Sequence, residues 1–205
     1  MIIGIAGLIG SGKNSVADYL VQQYGFTQLS FAASVKDCLA AIFGWNREDL
    51  EGLTPASRAW REQVDTWWAA RLGIENFSPR YAMTKFATDT MRDVFHSDIW
   101  IASLERKIQS IKGHVVISDC RFLNEMHSIR RLDGVLVRVV RGEEPSWVQL
   151  AKTDVRAMSV LYPNIHSSEY SHVGYDFDYT VSNDGSLDDL HARINDLFRD
   201  LRSSR

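Results

Sequence analysis

The residues with the clearest chemistry are Gly7-Leu8-Ile9-Gly10-Ser11-Gly12-Lys13-Asn14-Ser15, a glycine followed by four residues and then glycine-lysine. An apolar run, Ile2 to Ala6, precedes them, and Val16, Tyr19, Leu20 and Tyr24 follow at spacings of three and four. A glycine-rich turn between a strand and a helix lets successive backbone N–H groups converge on phosphate oxygens. The positive end of the following helix faces the same anion, and Lys13 can reach the β- and γ-phosphates. The expected ligand is therefore a nucleoside triphosphate, with Gly10, Ser11, Gly12, Lys13, Asn14 and Ser15 around its phosphates. The position after the lysine, where Ser or Thr ordinarily meets Mg²⁺, is Asn14, and the hydroxyl comes one place later. An amide oxygen suits a small hard cation less well than a hydroxyl, so Ser15 is expected to face the metal. A glycine turn that binds nothing has the same letters, but the strand and helix around this one favour the phosphate site.

Asp119 and Arg121 follow the apolar run Val115-Val116-Ile117. That places them at the carboxyl end of a strand, where open α/β sheets bind ligands. The carboxylate can hold Mg²⁺ or orient an acceptor oxygen, and the guanidinium can fork onto a phosphate. The competing reading is a surface ion pair. Arg92, in Thr88-Asp89-Thr90-Met91-Arg92, is a candidate clamp for an acceptor phosphate, and Asp98-Ile99-Trp100 follows close behind. Tryptophans there could stack on a base, although for Trp67 and Trp68 core packing is the weightier reading. Arg141, just past a strand, and Arg156 could close over the transferring group, and for Arg156 solvation is an equal alternative. No His pair has metal-ligand spacing, and Cys38 and Cys120 match none either.

The elements that must position these residues follow from periodicity. Ile2–Ala6, Val115–Ile117 and Val135–Val140 read as strands buried on both faces, with a further strand at Phe177–Val181. A helix after the glycine turn stops at Gly25, another spans Asn124–Leu132, and a last one carries Leu187, Leu190, Ile194, Leu197 and Leu201 on one face. The alternation predicts an α/β fold, an open and mostly parallel sheet with helices on both faces. Residues from about 45 to 111 read as a helical, Trp-rich insert, and residues from about 141 to 173 as a polar one. With no linker or repeat, the 205 residues are expected to form one domain. A net charge of −3 gives no global attraction for nucleic acid, and no apolar run reaches the length of a membrane span. Cysteine usage and the absence of an export signal predict a cytoplasmic protein.

In order along the chain, Gly7 to Leu20, Leu29-Ser30-Phe31-Ala32 with Val35-Lys36, Thr88 to Arg92 with Asp98 to Trp100, and Val116 to Glu125 resemble the bacteriophage-type deoxynucleoside monophosphate kinases. His166-Ser167-Ser168-Glu169 and Asn183-Asp184-Gly185 are similar to that family too, so the resemblance spans nearly the whole chain. It implies a three-layer phosphate-loop NTPase fold in which the first insert binds the acceptor and the second is a lid. It implies ATP and Mg²⁺ as cofactors, and transfer of the γ-phosphoryl group to a deoxynucleoside 5′-monophosphate. Lys13, Asp119, Arg121 and Arg141 would be catalytic, Ser15 and Asp119 would face the metal, and Asn183 would join the ATP site. Lys36, Arg92, Trp100, Arg121 and Glu169 would bind the acceptor. Nucleotides would be the only partners, with neither nucleic acid nor membrane, in the cytoplasm of a host if the chain is phage-encoded; a homodimer stays open. Two alternatives remain at this point. One is a phosphate-loop kinase of another phosphorylated metabolite, of the phosphomevalonate or dephospho-coenzyme A type, and the other is a nucleotide-dependent switch.

Overall fold

The computed structural model describes residues 1–203. The chain divides into two compact units, one made of Met1–Ser30 with the chain from Glu105 onward, the other of Phe31–Leu104.

The first unit is built on a five-stranded, all-parallel sheet. Its strands are β1 (Ile2–Ala6), β2 (Thr27–Leu29), β3 (Val115–Ile117), β4 (Val135–Val140) and β5 (Tyr179–Ser182), in the order β2-β3-β1-β4-β5. β1 pairs Ile3 with Val116 on one side and with Val135 on the other. Parallel strands need crossovers, and the helices supply them: α1 (Lys13–Tyr24) between β1 and β2, and α7 (Leu123–Arg131) between β3 and β4. Alternation along β1 sets the two faces. Ile3 and Ile5 pack with Val16, Ala17 and Leu20 of α1 and with Leu190, Ile194 and Leu197 of the terminal helix α11 (Leu187–Ser203). Gly4 points the other way, where a Cβ would lie 2.8 Å from Leu136, 3.0 Å from Cys120 and 3.2 Å from Ile129 of α7. The α/β, mostly parallel sheet with helices on both faces is thus the observed architecture. α1 ends as the sequence predicts, with Gly25 at φ 67° donating its N–H back to Leu20 and Val21.

One boundary differs from expectation, and one strand was not expected at all. The strand expected at Phe177–Val181 starts at Tyr179, because the Asp178 carboxylate leaves the strand to accept the Leu136 N–H at 2.7 Å and the Arg130 guanidinium at 2.6 Å. The edge strand β2 is short and largely exposed, and so gives little hydrophobic signal.

Between β4 and β5 lie α8 (Trp147–Thr153), α9 (Met158–Leu161) and α10 (Ser167–Tyr170). They share a small core of Val148, Ala151, Met158, Tyr170 and Val173, against which Leu8 of the glycine loop also packs.

The second unit contains α2 (Ala33–Phe43), α3 (Pro55–Glu62), α4 (Thr66–Leu72), α5 (Pro79–Thr84) and the start of α6 (Ile99–Ile108). A π-helical segment, Lys85–Phe95, continues α5 and closes with an i to i−5 bond from His96 N–H to Met91 O at 2.9 Å. Its core gathers Val35, Leu39, Leu50, Phe77 and Trp100, with Trp45, Trp60 and Trp68 packed around them. Trp68 therefore packs as expected, whereas Trp67 stands edge-on against the Trp68 ring, with centroids 4.6 Å apart, at the margin of this core and is 62% exposed. No described helix is long and apolar enough to cross a membrane.

Leu20 is fully buried where α1 meets the sheet, so Leu20→Ala should cost about 2 to 5 kcal/mol in denaturant unfolding. Trp67→Ala should cost less, about 0.5 to 1.5 kcal/mol from the lost edge-to-face contact with Trp68. A small loss at Leu20 would contradict this packing of α1.

Candidate active site

The site begins where β1 runs out. Gly7 has φ 149°, and a Cβ there would lie 2.3 Å from the Val139 carbonyl oxygen of β4. Gly12, at φ 98°, lies against Asn183, and a Cβ would come within 2.2 Å of Asn183 Nδ2. A side chain at Gly7 would push the loop off the sheet end, and one at Gly12, besides straining a positive φ, would displace the Asn183 amide. Asn183 holds it from beyond β5: its Nδ2 donates to Ser11 O at 2.9 Å, and its backbone N–H donates to Val140 O at 2.7 Å. The Asn183 side chain is thus spent on the loop itself. The Ser11 hydroxyl is buried with no hydrogen-bond partner among the described residues.

Lys13 is the first residue of α1. Its ammonium donates to Gly7 O at 2.8 Å and Leu8 O at 2.9 Å, so it lies back over the loop. Burial, with help from the Arg121 charge, pushes Lys13 down to about 8, against the opposing pull of Glu169 and Asp119. Asn14 and Ser15 are both exposed on the first turn of α1. Gly10 is exposed at the loop tip with φ 79°.

The loop that leaves β3 brings Asp119 and Arg121 to the same end of the sheet, and Asp119 is half-buried there. Buried Glu125 fixes this turn by accepting the backbone N–H of Arg121 at 2.8 Å and of Phe122 at 3.1 Å. The Arg121 guanidinium donates to Glu169 Oε1 at 2.6 Å and to the Ser168 hydroxyl at 3.3 Å. Glu169 Oε2 accepts the Ile9 N–H of the glycine loop at 3.1 Å. Lys13, Asp119, Arg121, Glu169 and Asn183 are therefore gathered in one unit.

A cavity of about 570 Å³ opens beside the loop, between Leu8–Ser11, the chain from Arg138 to Pro145, Trp147 and the segment around Ile165 and Glu169. That volume lies within the range of small-molecule sites. Arg141 is exposed at its rim.

Two site residues escaped the sequence reading. Arg138 lines the cavity from within β4 and pairs with Glu144, which also takes Lys152 at 3.0 Å. A single cation inside Val135-Leu136-Val137-Arg138-Val139-Val140 was the available signal. His172 is 1% exposed, and both ring nitrogens lack hydrogen-bond partners among the described residues. Burial, followed by the nearby Lys13 and Arg138 charges, pushes it down to about 4.

The remaining candidates belong to the second unit. Lys36 is buried in α2 and paired with Glu51, which also holds Arg47 at 2.5 Å. Burial pushes the Glu51 carboxyl up, and the hydrogen bonds from Lys36 and Arg47 more than offset this, leaving it below its ordinary value. Trp100 is 4% exposed within that unit's core and donates its indole N–H to Ala87 O at 2.9 Å, so its ring is used in packing. Arg92 is half-buried on the π-helical segment. Arg156 is exposed.

No family model matches the chain. A protein of Acanthamoeba polyphaga mimivirus assigned as a deoxynucleotide monophosphate kinase is 26% identical over 208 residues, covering 95% of this chain and 94% of its own. The deoxynucleoside-5′-monophosphate kinase of Escherichia phage T5 is 24% identical over 200 residues, covering 70% and 79%. Among solved structures, the dephospho-CoA kinase of Campylobacter jejuni overlays 99% of this chain with 98% of its own, at 13% identity and a TM-score of 0.48. A Thermus thermophilus protein overlays 98% with 97%, at 22% identity and a TM-score of 0.44.

The buried His172 has a measurable consequence. Its folded pKa lies below the unfolded value of about 6.5, so the unfolded chain takes up the proton first, and stability present above that pH is lost as pH falls toward 4. Between pH 7 and 4.5 the loss from this group should be on the order of 2 to 3 kcal/mol. His172→Leu should flatten that acid limb in denaturant unfolding. An unchanged slope would mean that His172 titrates normally.

Proposed function

We propose that the chain transfers the γ-phosphoryl group of ATP to a deoxynucleoside 5′-monophosphate, giving the diphosphate and ADP. The observation that carries this reading is the end-to-end similarity to a deoxynucleotide monophosphate kinase, laid over a phosphate loop that departs from the usual pattern only at Asn14. Transfer of this kind asks little covalent chemistry of a protein; it needs in-line positioning and positive charge around three equatorial oxygens.

The roles follow from chemistry. The N–H groups of Gly10, Ser11, Gly12 and Lys13 cradle the ATP phosphates, and the Lys13 ammonium swings from the Gly7 and Leu8 carbonyls onto the β- and γ-oxygens. Arg121 and Arg141 neutralise the transferring group, and Arg138, already at the cavity wall, adds a third guanidinium. Asn183 keeps the cradle in shape. Mg²⁺ is held through few protein oxygens together with phosphates and water, and a hydroxyl and a carboxylate are donors of the right hardness. Ser15 and Asp119 would hold the ion. No cluster of three His, Cys, Asp or Glu exists among the described residues, and this ion needs none. When bound, Mg²⁺ neutralises charge on the β- and γ-phosphates.

For the acceptor, Arg92 is the clamp for the monophosphate, with Lys36, Trp100 and Glu169 as further candidates. The π-helical turn under Arg92 supports this placing, since such widened turns are rare and concentrate at functional sites. The second insert, α8 to α10, acts as the lid, because water must be excluded if ATP is not to be hydrolysed.

A coupled ADP-release assay with ATP, Mg²⁺ and each deoxynucleoside monophosphate in turn tests the reading. Turnover with at least one of them is expected, and turnover only with a different phosphorylated metabolite would replace the acceptor class. Lys13→Ala should lower kcat by about 10³ or more with the fold intact, as losses of transition-state cations do. Retention of more than about a tenth of wild-type kcat would remove the phosphate-loop assignment.

Arg92→Ala should raise KM for the monophosphate by about ten- to 150-fold, the equivalent of a charge-assisted contact of roughly 1.5 to 3 kcal/mol, and leave ATP affinity unchanged. Arg92→Lys restores the charge but not the fork, so it should recover only part of the loss. Direct acceptor binding measured beside KM separates affinity from rate. Equal shifts for both substrates would make Arg92 a structural residue.

A further inference from the structure

Glu169 stands on the phosphate loop itself. One carboxylate oxygen takes the Ile9 N–H at 3.1 Å and the other takes the Arg121 guanidinium at 2.6 Å, and the side chain is 20% exposed. Both donors are of the kind that the loop and its cation offer to a phosphate. A carboxylate is chemically close to one edge of a phosphate: it is anionic, accepts only, and presents two oxygens that a fork of donors can bridge. The other cation of the loop, Lys13, donates to the carbonyls of Gly7 and Leu8.

The carboxylate is delivered by a folded segment. His166 Nδ1 accepts the Ser168 N–H at 3.2 Å at the start of α10, and Tyr170 and Val173 anchor that segment in the small core beneath the loop. Buried His172 lies between those anchors. Leu8 packs against the same core, so the segment and the glycine loop share one apolar contact and one polar contact.

We infer that Glu169 is a built-in competitor for the anion seat formed by Arg121 and the Ile9 N–H, next to the Gly10–Lys13 cradle, and that it holds this seat until a polyphosphate displaces it. A phosphate oxygen and a carboxylate cannot both occupy that seat, since two like charges a few ångströms apart repel strongly in a partly buried site. Displacement frees Arg121 to fork onto the incoming phosphate. Ligands with several phosphates can displace it, whereas orthophosphate, with fewer contacts to offer, competes poorly. This rests on the phosphate-loop reading above and gives Glu169 a role before the acceptor arrives.

The test is direct binding, by isothermal titration of the full chain with inorganic tripolyphosphate and, separately, with ATP, in the absence of acceptor. Tripolyphosphate carries no base, so it reports on the anion seat alone. Glu169→Gln keeps the size and loses the charge, and Glu169→Ala removes both; each is expected to bind tripolyphosphate and ATP roughly five- to twenty-fold more tightly than wild type. Glu169→Asp, one methylene shorter, keeps the charge but cannot span both donors, and should fall between; it also serves if the larger truncations fail to fold. Unchanged or weaker affinity in folded variants, judged by melting temperature, overturns the competitor role while leaving the phosphate loop in place. If wild type and all three variants bind no polyphosphate, the phosphate-loop reading falls and the competitor falls with it.

Discussion

A side chain at Gly7 would collide with the Val139 carbonyl oxygen, and the missing Cβ sets how closely the phosphate loop lies over the end of the sheet. Everything at the site is measured from that contact. β1 and β4 are neighbours, paired in parallel through Gly4 and Leu136, so the loop leaving β1 and the chain leaving β4 emerge side by side. Asn183 locks the arrangement from β5 by joining Ser11 O, which requires the bare Gly12 beside it. The loop is therefore held from two strands besides its own.

With the loop fixed in this way, the electrostatics follow. Lys13, Arg121 and Arg138 all lie near His172, where their charges add to burial in lowering its proton affinity, and Arg121 does the same to Lys13. Each is restrained by oxygen acceptors, the Gly7 and Leu8 carbonyls for Lys13, Glu169 for Arg121 and Glu144 for Arg138. His172 is kept neutral beneath them, so it adds no further positive charge. A cluster of this kind is costly without an anion and well suited to receive one.

Much of this was legible in the sequence, for physical reasons. β1, β3 and β4 are β-branched runs buried on both faces, and their limits read directly from Ile2–Ala6, Val115–Ile117 and Val135–Val140. The glycine spacing gave the loop, and strand ends gave Asp119 and Arg121. What stayed hidden depends on contacts distant in sequence. Asp178 is drawn out of β5 by Leu136 and Arg130, Arg138 reads as a blemish in a strand until the cavity beside it is seen, and neither the isolation of His172 nor the grip of Glu169 on Ile9 leaves a local pattern. Lys36 and Trp100 show the converse. They were singled out through the family resemblance, and only the folded unit shows the one paired with Glu51 and the other packed in the core.

The central claim is that a phosphoryl group passes directly from ATP to a deoxynucleoside monophosphate while water is kept out. Following the label from γ-labelled ATP in the presence of Mg²⁺ and a deoxynucleoside monophosphate tests it most directly. The account predicts that the label appears in the deoxynucleoside diphosphate in step with ADP, with little orthophosphate. Label recovered only as orthophosphate, with the monophosphate unchanged, would contradict it.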